Sequence, residues 1–394
     1  MTNVSADDGV IDPAYKVESE NPAQPIAKPK LLFIGPLPPP VTGQSLACKV
    51  LFEETRNIFD VSLVDINKQD LNSGSFSFNR FTALFNNMKY IFHHVKHSDV
   101  VYFTITESIL GNIKDLLIYA LCRPRLKNMV VHLHGGAGMV RLLNGRLGIL
   151  RVLNRFFLKR MAAVIVLGPR LRPIYEGIVE NRKLRTVANF AQGEFFLDEV
   201  EIERKFSNQR LIKVAYLSNM IPEKGYLLML QAYDELEPEM KANIRLDFAG
   251  GFPSKSEEQS FLARIENQPN VTYHGLVHGE TKRQFLADAQ ILCLPTFYPY
   301  EGQPICILEA YAAGCAVITT DHSGILDVFE NNKNGYLVEK RSVENLRELL
   351  VSLPAAHHHL KKFGLRNMRE ARERYTTTRY NRDLIEILAA ASIQ

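Results

Sequence analysis

Cysteine is scarce in this chain of 394 residues, and what there is suits neither cross-linking nor metal binding. Cys48, Cys122, Cys293, Cys306 and Cys315 are odd in number and widely scattered. Without a CxxC pair or Cys/His ligand spacing, neither a disulfide framework nor a zinc centre is expected. Cys293, Cys306 and Cys315 lie in apolar runs and read as small buried hydrophobes, which suits a reducing cytoplasm. Long apolar runs are missing too: none reaches the roughly 18 residues that span a bilayer. Residues 1–29 lack the basic start and apolar centre of a signal peptide and read as a disordered tail. No internal repeat and no low-complexity array is present, which sets aside stacked-repeat architectures.

Hydrophobic content of 46% and charged content of 23% are those of a globular protein, and the length exceeds one ordinary core. Short β-branched runs alternate with longer helical patterns. Strands are expected at Leu31–Gly35, Val61–Ile66, Val100–Thr104, Met129–His134, Val164–Leu167 and Arg185–Asn189. After a polar stretch from about Phe190 to Arg210 they resume at Ile212–Ser218, Arg245–Gly250, Val271–His274, Ile291–Pro295 and Ala316–Thr320. Helices such as Lys224–Leu236 and Glu280–Ala289 fill the gaps. Strand–helix alternation predicts an α/β fold with parallel sheets, here two doubly wound halves facing across a cleft. The halves are expected at 30–200 and 201–375, with a helix over 376–394.

The segment from Tyr300 to Gly314 carries the most chemistry. Glu301 and Glu309 stand eight positions apart, the first on a loop after a buried strand and the second inside the next helix. Ligands of open α/β sheets bind at that edge, and helix N-termini there attract phosphate. Spacing alone is weak, since Glu258 and Glu266 repeat it in a polar helical stretch with no strand before them. A second segment, Leu217 to Gly225, follows a strand and places Lys224 at an expected helix start, where a cation suits a diphosphate.

The first of these segments resembles the E-x7-E motif of retaining glycosyltransferases of family 4, which have the GT-B fold. Asn219 to Gly225 looks like that family's G-R-L-x-x-x-K-G segment, with Lys224 and Gly225 matching and Asn219 standing where arginine is usual. Gly250, ending a strand, resembles the glycine turn near the nucleotide, and serves equally as a simple turn. His322 to Asp327, with Ser323 and Gly324, resembles the loop ending in G-x-x-E, Asp327 replacing the Glu. Asn334 to Val338 matches the N-G-x-L-V turn, a structural feature. In the first half, Gly43 follows the rigid Pro36–Pro40 loop, where the family has a glycine-bearing loop at the donor phosphate. His134 resembles the histidine that touches the donor sugar, while His132 on the same strand face reads as packed core.

What the resemblance implies is transfer of a sugar from a nucleoside diphosphate sugar with retention of configuration. Glu309 would accept hydrogen bonds from ribose hydroxyls. Glu301, His134 and the backbone N–H groups of Gly302 and Gln303 would hold the donor sugar, and Lys224 the diphosphate. A UDP-sugar is the first expectation and GDP-mannose the next. The acceptor would be a saccharide or lipid-linked oligosaccharide of a surface polysaccharide pathway, in the cytoplasm or at the inner face of the inner membrane. No metal and no cofactor are expected, which agrees with the lack of a D-x-D signature. Competing readings are a non-catalytic nucleotide-sugar binder and a GT-B phosphorylase or epimerase; turnover of nucleotide sugars separates the first.

Net charge is +4, unevenly spread. Between Arg141 and Arg185 eleven bases face only Glu176 and Glu180, interleaved at first with Leu142, Leu143, Leu147, Leu150, Leu153, Phe156 and Phe157. Two readings fit: a basic amphipathic helix on an anionic membrane, or a helix packed on its own sheet with a solvated basic face. Nucleic acid is not expected, because no recognition motif accompanies the charge.

Overall fold

The computed structural model describes residues 27–67, 78–145, 148–207 and 211–393. The expected tail at 1–29 therefore falls almost wholly outside the described residues. In the first half the strands are β1 (Lys30–Gly35), β2 (Asp60–Asp65), β3 (Val100–Thr104), β4 (Met129–His132), β5 (Ala163–Val166) and β6 (Leu184–Thr186). The second half has β7 (Ile212–Leu217), β8 (Ile244–Ala249), β9 (Val271–Tyr273), β10 (Ile291–Leu294), β11 (Ala316–Thr320) and β12 (Gly335–Val338). They pair in parallel as two sheets, ordered β2-β1-β3-β4-β5-β6 and β12-β11-β10-β7-β8-β9. Strand β12 corrects the reading of Asn334–Val338 as a turn: Val317 to Thr320 pair with Gly335 to Val338. Four residues sufficed because β11 offered an open edge.

Around the first sheet lie α1 (Gly43–Ile58), α2 (Phe78–His94), α3 (Ile109–Leu121), α4 (Ala137–Asn144) and α5 (Gly148–Leu158). The second sheet carries α6 (Glu199–Ser207), α7 (Tyr226–Asp234), α8 (Pro238–Lys241), α9 (Lys255–Ile265), α10 (Gly279–Asp288), α11 (Ile305–Ala312), α12 (Val343–Ser352) and α13 (His357–Arg374). The last helix is α14 (Thr377–Ser392). Because side chains alternate along a strand, β1 feeds two cores. Leu31 and Phe33 pack with Leu51 of α1 and Tyr380 and Leu384 of α14. Leu32 and Ile34 share the opposite core with Tyr119 of α3, Leu143 of α4 and Leu158 of α5. Strands covered on both faces read as unbroken apolar runs, which is why they were visible in the sequence.

The polar stretch after Phe190 includes α6: Asp198 and Glu201 exchange backbone-to-carboxylate hydrogen bonds at its start, and its Ile202 and Phe206 are buried in the second core. The apolar and basic run from Leu142 to Phe157, read as one helix, is divided between α4 and α5, with a break at Gly145. The rest of the basic stretch runs through β5 and two 3-10 segments into β6. Arg146 and Leu147 lie outside the described residues. Arg172 donates to the Leu184 carbonyl and Arg170 pairs with Asp321, so the later bases serve the fold. The chain passes between the sheets near Ala191 and again near Tyr375, where the Ala191 N–H donates to the Tyr375 carbonyl at 2.8 Å.

Candidate active site between the two sheets

Each sheet has one place where the strand order reverses, and a crevice forms there at the C-terminal strand ends. In the second sheet it lies between β7 and β10, so the loops that follow them carry Asn219 and Lys224, and Glu301, Gly302 and Gln303. In the first it lies between β1 and β3, whose loops carry Gly43 and Glu107. His134 follows the adjacent β4.

Lys224 is not at a helix start. Pro222–Lys224 form a 3-10 turn, Gly225 adopts a left-handed conformation (φ 90°), and α7 begins at Tyr226. A Cβ on Gly225 would lie 2.5 Å from the Pro295 carbonyl oxygen, so glycine is needed for this loop to reach the β10 edge. That crossing brings the Lys224 Nζ within 2.7 Å of Glu301 Oε2, which also accepts from Thr296 Oγ1 at 3.2 Å. The ammonium lies 4.8 Å from the Tyr298 ring centre. Burial pushes the Lys224 ammonium down, but the charge and hydrogen bond of Glu301 more than offset this and hold it above its ordinary range. The lysine therefore remains a cation in a largely dry site.

Glu309 is buried in α11 and accepts from Lys282 Nζ of α10 at 2.7 Å. Lys282, 4.8 Å from the Phe195 ring centre, was missed in the sequence, where nothing in the α10 pattern distinguishes it from a surface lysine. Cys306 lies within the field of all four charges: burial pushes its thiol up to about 12, with Glu309 and Glu301 adding and Lys224 and Lys282 opposing. The two carboxylate–lysine pairs are thus gathered about the first turn of α11. Pro304 caps that helix without a side-chain hydrogen bond. Among the described residues no group accepts the backbone N–H of Gly302 or Gln303. The Gln303 side chain is committed elsewhere: its Oε1 accepts from the Asn189 N–H at 2.6 Å, and its Nε2 donates to the Leu167 carbonyl.

The first sheet presents the segment His134–Gly138 to this loop. A Cβ on Gly302 would fall 2.1 Å from the His134 carbonyl oxygen, so the two halves meet backbone to backbone. His132 and His134 share one face as expected, their ring centres 4.1 Å apart. His132 accepts its role as core: its Nδ1 is 2.9 Å from the Tyr102 hydroxyl. Both ring nitrogens of His134 are buried without a partner, and burial lowers its imidazole to about 3, so the ring is neutral.

Glu107, at the end of β3, escaped the sequence reading. Its carboxylate accepts N–H bonds from Gly136, Gly138 and, at 3.2 Å, Met139 at the start of α4. Burial outweighs these bonds and raises it to about 7. The signal was present, since Glu107 and Asp115 are the only acids between Val100 and Tyr175.

The remaining expected residues divide. Gly43 opens α1 opposite Ile305, so two helix N-termini face each other across the cleft. Ser323 Oγ donates to the Glu301 carbonyl at 2.6 Å and the Gly324 N–H to the Gly302 carbonyl at 3.1 Å, so this loop braces the Glu301 turn. Asn219 is exposed on the loop after β7. Gly250 (φ +151°) approaches the protein itself: a Cβ there would lie 1.8 Å from the Ser218 carbonyl oxygen. Asp327 accepts from the Arg170 N–H across the cleft, tying the halves together. Among the described residues no three His, Cys, Asp or Glu gather as a metal site, and no helix is long and apolar enough to cross a membrane.

Comparison with known proteins bears on the fold and on the second-sheet half of the chain. Residues 198–365, the second-sheet half, match the family described as glycosyl transferases group 1. A putative colanic acid biosynthesis glycosyltransferase, WcaL, of Salmonella typhimurium is 25% identical over 45% of this chain and 44% of its own length. A Staphylococcus aureus poly(ribitol-phosphate) alpha-N-acetylglucosaminyltransferase is 24% identical over 55% and 42%. The chain thus spans less than half the length of these relatives. Among solved structures, Anabaena Alr3699/HepE in complex with UDP-glucose superposes with a TM-score of 0.68 at 15% identity, covering 92% of this chain and 99% of that one. Sucrose-phosphate synthase of Thermosynechococcus elongatus does so with 0.68 at 12% identity, covering 92% and 99%. The fold is GT-B, two Rossmann-like domains, and the second carries the group 1 glycosyl transferase match.

Proposed function

We propose that the chain is a retaining glycosyltransferase that moves a sugar from a nucleoside diphosphate sugar to a saccharide hydroxyl. One observation carries this reading: two carboxylates of a single loop–helix segment, each neutralised by a lysine, gather about the α11 N-terminus opposite an unpartnered, neutral His134. On entering, the donor diphosphate would take Lys224 from Glu301, exchanging one anion for another at little desolvation cost. The freed Glu301 carboxylate and the N–H groups of Gly302 and Gln303 then accept and donate to sugar hydroxyls, and Glu309 to the ribose. Charge-assisted bonds of this kind contribute about 1.5–3 kcal/mol each.

As the glycosidic bond breaks, negative charge grows on the leaving phosphate, where Lys224 and the helix ends at Gly43 and Ile305 stabilise it. His134 contributes a neutral hydrogen-bonding edge beside the sugar. The acceptor hydroxyl attacks from the face the diphosphate leaves, and the phosphate takes its proton. A UDP-sugar is the favoured donor, with GDP-mannose next; the UDP-glucose complex of the similar HepE supports the first. The acceptor class is a saccharide or lipid-linked oligosaccharide of surface polysaccharide synthesis, used in the cytoplasm at the inner face of the membrane.

The test is incubation of pure protein with a panel of nucleotide sugars, reading slow hydrolysis, together with calorimetry of the corresponding nucleoside diphosphates. Binding with no turnover on any donor or acceptor would favour a non-catalytic binder. Absence of binding to all of them would remove the reading.

A further inference from the structure

Helices α3 and α5 are clasped by a buried reciprocal pair, in which the Asn112 and Asn154 amides donate to each other at 3.0 and 2.7 Å. On the solvent side of that clasp each helix carries apolar side chains at positions i, i+3 and i+7. These are Leu110, Ile113 and Leu117 on α3, and Ile149, Val152 and Phe156 on α5. Leu110 is 78% and Ile149 75% exposed. Stripes of this spacing ordinarily face a core. Here the core already holds the other faces, through Ile118, Tyr119, Phe157 and Leu158. Two neighbouring helices are thus apolar on both sides.

Charge selects the occupant. From residue 78 to 175 the sequence holds fifteen Lys or Arg and three acids, Asp99, Glu107 and Asp115. Asp115 is buried against Lys114 and Thr106, Glu107 caps α4, and Asp99 accepts from the Lys30 N–H at the opposite end of the sheet. No acid of these helices faces the stripes, while Arg151 of α5 and Lys159 and Arg160 in the turn after it are exposed, Arg160 lying 3.7 Å over the Phe156 ring. A second copy docking here would oppose like charges.

We propose that the joint α3–α5 face rests on an anionic bilayer, its apolar stripes at the acyl boundary and Arg151 and Lys159 among headgroup phosphates. Apolar side chains flanked by bases meet the chemistry of that surface on both counts. The docked orientation has a consequence for the cleft. Leu110 also lines a cavity of about 290 Å³ with Glu107, Arg141 and Tyr300, between the starts of α3 and α4 and the Glu301 loop. A molecule anchored in the bilayer would enter the cleft there. That last step rests on the proposed function; the docking does not.

The test is co-sedimentation of the full chain with vesicles of phosphatidylcholine alone and of phosphatidylcholine mixed with phosphatidylglycerol. Expected is partitioning onto the mixed vesicles, weakened by salt. Two double variants, Ile149→Ser with Val152→Ser and Arg151→Glu with Lys159→Glu, should each reduce it by about tenfold or more. Calorimetry with nucleoside diphosphates on the same preparations reports folding and the donor site separately. Parent protein left in the supernatant of mixed vesicles, or both variants partitioning like the parent, would overturn the docking whatever the donor binding. A dimer abolished by the same variants would overturn it as well.

Discussion

The two sheet edges that form the cleft manage charge in opposite ways. At the edge of the second sheet, Glu301 and Glu309 are buried, each beside a lysine at 2.7 Å. At the first, burial drives His134 and Glu107 toward their neutral forms. The contrast has a simple physical source. Two loops converge on the second crevice and bring opposite charges together, whereas the first crevice offers its carboxylate backbone N–H groups and its histidine nothing. A site built this way holds preformed countercharge on one wall and adaptable hydrogen-bonding groups on the other. That division suits an anionic donor on the second domain and a neutral hydroxyl on the first.

Removing a cation from the charged wall should have the largest effect. Lys224→Ala leaves Glu301 buried without its partner and deprives the diphosphate of a positive charge. Turnover should fall about 100-fold or more, with weakened donor affinity by calorimetry. Wild-type affinity would dissociate Lys224 from the site. Gly302→Ala attacks the contact between the walls, because its Cβ would overlap the His134 carbonyl. Turnover should drop at least about tenfold with the melting profile largely kept, and scattering should report a wider molecule; unchanged kinetics would mean that the halves need not meet. Glu309→Ala should weaken binding of nucleoside diphosphates by about tenfold, the loss of one or two charge-assisted bonds. Equal affinity for the parent and variant would place the ribose elsewhere.

The neutral wall gives the smallest and most pH-specific effects. Glu107 is raised from an ordinary 4.5 to about 7 in the fold. Between those values the folded protein holds a proton that the unfolded chain has released, so its contribution to stability is present below about 4.5 and lost as pH rises through 7. Glu107→Gln removes this dependence. Its melting temperature relative to the parent should therefore climb between pH 5 and 8, reflecting roughly 3 kcal/mol at most. A difference that does not change with pH would show that Glu107 titrates normally. His134, held near 3, should stay neutral across the same range, so its imidazole NMR signals should not shift between pH 5 and 8.

Legibility in the sequence followed the same division. Every strand but β12 was visible, the central ones because burial on both faces demands unbroken apolar runs, and Glu301, Glu309 and His134 were visible because a strand ends just before each segment. Glu107 and Lys282 were not. Each stands alone in a local pattern that admits a surface residue, and each becomes part of the site only through a partner far along the chain. The helix expected from Lys224 was misplaced because Gly225 turns left-handed to clear Pro295, a contact that no local pattern encodes.

Periodicity and composition alone determined that this chain forms parallel α/β layers and places acidic and basic groups at strand ends, because alternation and burial are local demands on residue type. Which lysine neutralises which glutamate, which histidine lacks a partner and which helix faces stay apolar toward solvent were decided by tertiary structure. Those properties depend on distances between loops that the crossover topology alone brings together.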